Sequence, residues 1–371
     1  MHILHFYKTC FPDTIGGAQK VIDELATNTT ATGLQNTVLA LSTKSEVTSH
    51  IINGYQVCLI PQCFEIASTP FSWQVLKYFK EFVQKADIIH YHFPWPFADM
   101  VHLLANTKKP TVLTYHSDIV KQQYLYKLYQ PLMYYFLKKV DKIVATSPNY
   151  VQSSKVLSSF IDKTTVIPLG LDKKHYPIPT KETIEYWKGR FPNRFFLFTG
   201  VLRYYKGLNF LIEAAKYVKA PILIVGSGKI ENDLKSLSNT LGISNVYFLG
   251  QLSEEDKTAL LTLCYAFIFP SHLRSEAFGL SLLEAAMFGK PMISCEIGTG
   301  TSYINHINHT GYVIAPADSL ALAHAMQFFL DHPDQVELMG KNAFNRYNTL
   351  FTAEKMSMEY IKLYKKLLSI T

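Results

Sequence analysis

Residues 266–296 read AFIFPSHLRSEAFGLSLLEAAMFGKPMISCE. A short apolar run, AFIFPS, gives way to a loop, then to a helical stretch entered near Phe278–Gly279, then to a second apolar run, PMISCE. Two such runs separated by one helical stretch indicate a βαβ unit whose strands are parallel and covered on both faces. Working outward, the same alternation holds at RFFLFTGV, PILIVG, NVYFLG and GYVIAP, each with a helical segment behind it. It also holds in the first half, at HILHFY, TVLAL, QVCLIP, DIIHYH, TVLTYH, KIVATS and TVIPLG. The fold class expected is therefore α/β, with two doubly wound Rossmann-like domains facing a central cleft. Between them the pattern dissolves into a proline-rich, charged stretch. The expected boundaries are domains at 1–172 and 194–350, a linker at 173–193, and a C-terminal helix at 351–371 that returns to the first domain.

Size and composition agree. A chain of 371 residues is too long for one ordinary core. With 48% hydrophobic and 18% charged residues it is globular, and no apolar run is long enough for a membrane span. The start, MHILHFYKTC, lacks the basic head and long apolar stretch of a signal peptide. Five scattered cysteines without a C-x-x-C suit free thiols in a reducing compartment, so a cytoplasmic location is expected. The net charge of +7 is uneven: residues 1–175 carry +5 and the remainder +2, and every arginine lies at or beyond Arg190. A basic first half suits a polyanionic or membrane-surface partner; a solvated lysine surface explains it equally well.

The candidate chemistry lies where strands end. Glu276 precedes the helix after AFIFPS, and Glu284 follows eight residues on, about two helical turns later. Unpaired N–H groups at the start of that helix, around Phe278, Gly279 and Leu280, are open to a ligand. Two carboxylates so spaced can hold the hydroxyl-rich ends of a sugar nucleotide; solvated acids on an amphipathic helix are the alternative. Upstream, GVLRYYKG (200–207) follows a strand. There Arg203 offers a forked donor, Lys206 a point charge and the helix start a partial positive charge, a set suited to a diphosphate. Gly226-Ser227-Gly228 after PILIVG is a turn that lets backbone approach a ligand; Gly16-Gly17 after the first strand is either a plain tight turn or a second such approach. His116 ends TVLTYH, where a doubly wound fold places ligand contacts. A structural histidine is the competing reading.

In this order and spacing, the Glu276…Glu284 pair, the Gly200–Gly207 turn, the Gly-Gly turn and His116 resemble the retaining glycosyltransferases of family four, which have the GT-B fold. The resemblance covers nearly the whole chain. It implies that Arg203 and Lys206 hold the diphosphate as it leaves, and that Gly200, Gly226 and Gly228 shape its turns. It implies further that Glu276 and the N–H groups of Phe278, Gly279 and Leu280 hold the donor sugar, and that Glu284 holds the ribose. His116 would reach the sugar from the first, acceptor-side domain, with Gly17 near the phosphates or acceptor. A narrower resemblance, to O-antigen mannosyl- and rhamnosyltransferases using GDP-sugars, rests on HYHFPWPFADM (90–100), TSPNY (146–150) and CEIGTGTSYIN (295–305). The chain departs from many relatives in having no arginine in its first domain, so any acceptor contact made there by arginine must come from lysine or be absent.

No carboxylate stands out as a nucleophile for the opposite sugar face. The expectation is front-face attack with retention, the leaving phosphate taking the acceptor's proton. No Asp-x-Asp motif occurs in a suitable position, so neither metal nor other cofactor is expected; His90-x-His92 lacks a third ligand. The expected partners are a nucleotide-sugar donor and a lipid-linked or oligosaccharide acceptor, without nucleic acid. Residues 121–142, KQQYLYKLYQPLMYYFLKKVDK, carry five lysines, one acid and six aromatic rings. They suit a helix at the anionic inner face of a membrane, or equally a helix packed on the sheet; Pro131 should split or kink it. The rival readings are a UDP-sugar-dependent transferase, a sugar-nucleotide epimerase and a non-catalytic sugar-nucleotide-binding regulator.

Overall fold

The computed structural model describes residues 1–14, 16–120 and 123–369. They divide into two compact units, one of residues 1–171 and 352–371, the other of residues 172–351. The first unit contains β1 (His2–Phe6), β2 (Gln35–Ser42), β3 (Thr48–Ile52), β4 (Tyr55–Pro61), a small hairpin of β5 (Phe64–Ile66) and β6 (Thr69–Phe71), β7 (Ile88–Phe93), β8 (Thr111–Tyr115), β9 (Lys142–Ala145) and β10 (Thr164–Val166). Eight of these form one sheet in the order β10-β9-β8-β7-β1-β2-β4-β3. It is parallel except for β3, which pairs antiparallel with β4 at the edge. The second unit contains β11 (Phe196–Thr199), β12 (Ile222–Val225), β13 (Val246–Gly250), β14 (Ala266–Phe269), β15 (Met292–Cys295) and β16 (Gly311–Ile314), in the order β13-β12-β11-β14-β15-β16, parallel throughout.

Every strand read from the sequence is present, and the α/β class and doubly wound sheets are as expected. The apolar runs are strands because helices cover both faces: β11, β12, β14 and β15 are buried at every residue. Edge strand β3 and the β5–β6 hairpin went unread. Strands β3 and β5 are largely exposed, and the two hairpin strands have three residues each, too few for a periodicity to be detected.

Residues 173–193 are not a bare linker. Thr180 caps the helix Lys181–Arg190 by accepting from the Thr183 N–H. Trp187 is buried, and its indole donates to Asp256 at 2.9 Å on the helix Glu254–Leu263. Two prolines before the helix hid an aromatic anchor within it. At the other end, helix Pro333–Leu350 stops at Phe351, and a new helix, Ala353–Leu367, begins under a Thr352 cap. The return to the first unit is made at backbone level: Ala353 N–H donates to the Leu171 carbonyl at 3.0 Å. The crossing is close enough that a Cβ on Gly170 would stand 2.3 Å from the Thr352 carbonyl. The final helix then packs on helix Gly17–Ala31.

Helix Gln123–Lys139 runs unbroken through Pro131. Pro131 and Lys127 are both exposed, so the carbonyl that loses its N–H partner faces water. Lys121 and Gln122, the first residues of the 121–142 segment, lie outside the described residues. Among those described, no helix is long and apolar enough to cross a membrane.

Candidate active site

In the second unit the three adjacent strands β12, β11 and β14 each end in a loop, and close backbone packing joins the loops. Gly200 follows β11 with φ +150°, and Gly226 follows β12 with φ +127°. A Cβ on Gly226 would lie 2.1 Å from the Gly200 carbonyl, and one on Gly228 2.2 Å from that of Leu202. A Cβ on Gly207 would lie 2.0 Å from the Pro270 carbonyl after β14. These glycines therefore admit neighbouring backbone, a second demand on Gly226 and Gly228 beside the ligand approach expected from sequence. His272 N–H completes the join by donating to the Tyr205 carbonyl at 3.0 Å.

The joined loops hold Lys206 against Glu276. Lys206, in the short 3₁₀ turn Tyr204–Lys206, is only 8% exposed, and its Nζ lies 2.5 Å from Glu276 Oε2. The same ammonium stands 4.7 Å from the centre of the Phe269 ring, and Ser271 Oγ donates to Glu276 Oε2 at 3.4 Å. Among the described residues Nζ has no second acceptor and Glu276 Oε1 no donor. One buried ammonium thus keeps two N–H donors in reserve, beside a carboxylate with a bare oxygen. Arg203, on the same turn, is exposed. The helix that follows Glu276 spans Leu280–Met287 behind Gly279 at φ +96°. The N–H groups of Phe278, Gly279 and Leu280 have no acceptor among the described residues. The Phe278 ring itself is core, packed on Phe351.

Glu284 is placed differently from the other carboxylate. It is 6% exposed, accepts from the Tyr176 hydroxyl at 2.8 Å and lies 3.7 Å from Lys257 Nζ. Burial opposes the charge on Lys257, but Glu284 and Glu254 outweigh it and raise its pKa. A ribose held by Glu284 would share it with Tyr176 and Lys257. Neither partner was read from the sequence, because Tyr176 lies 108 residues from Glu284 and in the supposed linker. A groove of about 1000 Å³ along Lys173, Arg194, Lys290 and Phe344 contains none of the expected site residues.

In the first unit, His116 stands just past β8, its N–H donating to the Phe93 carbonyl at 3.0 Å. It is half-buried, and its Nε2 lies 3.0 Å from His92 Nδ1. Burial, with Lys8 nearby, lowers its pKa to about 4, so the ring is neutral at neutral pH. Gly17 is the exposed first residue of its helix, and the extended Gly16 precedes it as the cap. The third histidine that His90-x-His92 lacked in sequence is supplied in space by His5 of β1, with ligand atoms of all three rings within 4.8 Å. All six ring nitrogens are nevertheless hydrogen-bonded: to Asn36, Thr114, Tyr364, His116 and one another.

Comparison with known proteins places this geometry. Residues 15–175 match the family model Glycosyltransferase Family 4, and residues 185–346 match Glycosyl transferases group 1. The D-rhamnosyltransferase WbpZ of Pseudomonas aeruginosa is 50% identical over 353 residues, covering 95% of this chain and 93% of that one. This chain is a family-four glycosyltransferase. The O-antigen chain mannosyltransferase C of Escherichia coli is also similar to this transferase, at 47% identity over 99% of both chains. Among solved structures, the sucrose-phosphate synthase of Thermosynechococcus elongatus superposes with a TM-score of 0.82 at 20% identity, covering 99% of both chains. Anabaena Alr3699/HepE, in complex with UDP-glucose, superposes with 0.78 at 17%, covering 99% of this chain and 100% of that one. These likenesses identify the fold of the family-four transferase as GT-B.

Proposed function

We propose that this transferase moves a hexose, mannose or rhamnose, from a GDP-sugar to a lipid-linked or oligosaccharide acceptor during assembly of a cell-surface polysaccharide of the O-antigen kind. The names of the two relatives near 50% identity, a D-rhamnosyltransferase and an O-antigen chain mannosyltransferase, support the sugar and the product class. The single observation that carries the chemistry is the buried Lys206–Glu276 pair, with donors to spare, beside exposed Arg203.

In this reading the donor diphosphate takes the two remaining Lys206 N–H groups and the Arg203 fork. The N–H groups of Phe278, Gly279 and Leu280 and the carboxylate of Glu276 receive the sugar hydroxyls and Glu284 the ribose, while His116 of the first unit takes a substrate hydroxyl. Breaking the sugar–phosphate bond leaves a cationic ring and a diphosphate with added negative charge. Cations already in place stabilise that charge without reorganising, and each ~1.4 kcal/mol so gained is tenfold in rate. Attack from the same face, with the acceptor's proton passing to the leaving phosphate, retains configuration. The charge on the diphosphate is met by Lys206 and Arg203, so the reaction is proposed to run without a metal.

Helix Gln123–Lys139 supports docking of the enzyme on the inner face of the cytoplasmic membrane. It buries Met133, Phe136 and Leu137 while presenting Tyr124, Leu128 and Tyr135 beside lysines.

The deciding experiment is a thermal-shift panel of GDP, UDP, ADP and their sugars, followed by a transfer assay with the sugar that stabilises most. Stabilisation by GDP species, with transfer and retained anomeric configuration, is expected. Stabilisation by UDP species alone rejects the donor. Nucleotide binding without hydrolysis or transfer would make the protein a binder and not an enzyme, and a trapped covalent sugar–enzyme adduct would replace the front-face mechanism.

A further inference from the structure

The buried histidines of the first unit form a chain whose protons can be counted. Strand register brings His5 of β1 opposite His90 of β7, and His92 shares its face with His90, two residues on. The count begins at Asn36. Thr29 Oγ1 donates to the Leu25 carbonyl at 2.7 Å, so toward Asn36 it can only accept. Asn36 Nδ2 points at it at 2.9 Å, and also at Thr30 Oγ1 and the Ala26 carbonyl. The amide orientation is thereby set, and Oδ1 faces His5 Nε2 at 3.2 Å. His5 must donate there, and a neutral ring has one N–H, so its Nδ1 is bare. That nitrogen accepts from His92 Nε2 at 3.2 Å, which leaves His92 Nδ1 bare to accept from His116 Nε2 at 3.0 Å. Each step is forced by the one before it. The chain ends at His116 with its proton on Nε2 and a lone pair on Nδ1, for which no partner is found among the described residues.

We propose that Asn36, His5 and His92 are positioning residues that hold His116 in the Nε2–H tautomer, so that Nδ1 accepts a hydrogen bond from a substrate hydroxyl. The inference rests on the reading of His116 as a substrate contact and adds which atom makes that contact and what sets it. The chain orients and does not conduct: an amide oxygen is too weak a base to take the proton from His5, so none can leave at the far end. Burial keeps the rings neutral, which the count requires, and pushes His5 as well as His116 down to about 4. His90 stacks on His92 with centres 4.4 Å apart but stands outside the chain, its nitrogens taken by Thr114 and by Tyr364 of the final helix. It is therefore an internal control.

The test is ¹⁵N NMR of the full chain labelled at the histidine ring nitrogens, read with transfer kinetics. The expected spectrum shows His116 with a pyrrole-type Nε2 and a pyridine-type Nδ1. In His5→Phe, which removes the acceptor two rings away, a mixture of His116 tautomers is expected. With it kcat should fall roughly tenfold or more at little-changed donor KM, since the wrong tautomer cannot make its bond. His90→Phe should leave the His116 tautomer as it was. A wild-type His116 protonated on Nδ1, an unmixed tautomer in His5→Phe, or equal mixing in His90→Phe overturns the chain. So does stoichiometric zinc uptake that shifts the ring-nitrogen signals of His5, His90 and His92. The wild-type spectrum decides the first point even where a variant fails to fold. Unchanged transfer by His116→Ala instead overturns the substrate-contact reading, which the spectrum does not touch.

Discussion

Lys206 Nζ lies 2.5 Å from Glu276 Oε2, with both side chains almost withdrawn from water. A charge pair so placed leaves a lone charge when either partner is removed, so each should be costly alone and less so together. Lys206→Ala and Glu276→Gln are each expected to lower transfer about 10²–10³-fold, as does loss of a preorganised group at a developing charge. The double variant should be clearly less than multiplicative in kcat/KM. Multiplicative losses would mean that the two act apart.

The glycine contacts predict which turns tolerate a methyl group. Gly226→Ala and Gly228→Ala drive a Cβ to within 2.1 and 2.2 Å of backbone carbonyls. Each is expected to cost more than about 2 kcal/mol in urea unfolding, because the neighbouring loop must move. Gly242 has φ +65° and nothing within 4 Å of its absent Cβ. Gly242→Ala should cost only about 1 kcal/mol of backbone strain. Equal costs at all three positions would contradict the close packing of the loops.

Acid should destabilise the first unit through its histidines. Burial holds His5, His102 and His116 down at about 4, and His90 and His92 well below the ordinary value. Between pH ~6.5 and ~4 the unfolded chain binds protons that the folded chain refuses. This stability is therefore whole above pH ~6.5 and lost as the pH falls through that window. Lys8 beside His116 and His2 beside His5 act in the same direction. Buried Asp99, whose pKa is raised, acts oppositely. Unfolding near pH 5.5 should take up roughly four protons. A folding free energy that stays flat between pH 7 and 5 would refute this.

The exposed apolar stripe of helix Gln123–Lys139 predicts a selective loss of membrane binding. Tyr124 and Leu128 are 87% and 80% exposed and contribute little to the core. Tyr124→Ser with Leu128→Ser should abolish flotation with anionic liposomes at low salt and leave the melting temperature within about a degree. Flotation equal to that of the parent chain, or none by the parent itself, removes the membrane claim.

How much was legible depended on how local the cause was. Strands β11, β12, β14 and β15 were readable because parallel strands buried on both faces must be continuously apolar, a property of neighbouring residues. Glu276, Arg203 and Lys206 could be proposed as a site because each stands just past a strand end. Their contact could not, since it needs the loops after β11 and β14 to meet. Tyr176 stayed invisible as the partner of Glu284, and His5 as the partner of His92, because nothing near either residue marks it.

The sequence by itself determined two mainly parallel α/β sheets, the strand ends at which chemistry is possible and the residue types available there, because periodicity and turn chemistry act over a few residues. Only the tertiary structure decided that Lys206 meets Glu276, that Glu284 is tied to Tyr176 and Lys257, and that Asn36 governs the proton on His116 through two intervening rings. Those relationships are set by strand order and register, which bring residues tens to hundreds of positions apart within hydrogen-bonding reach.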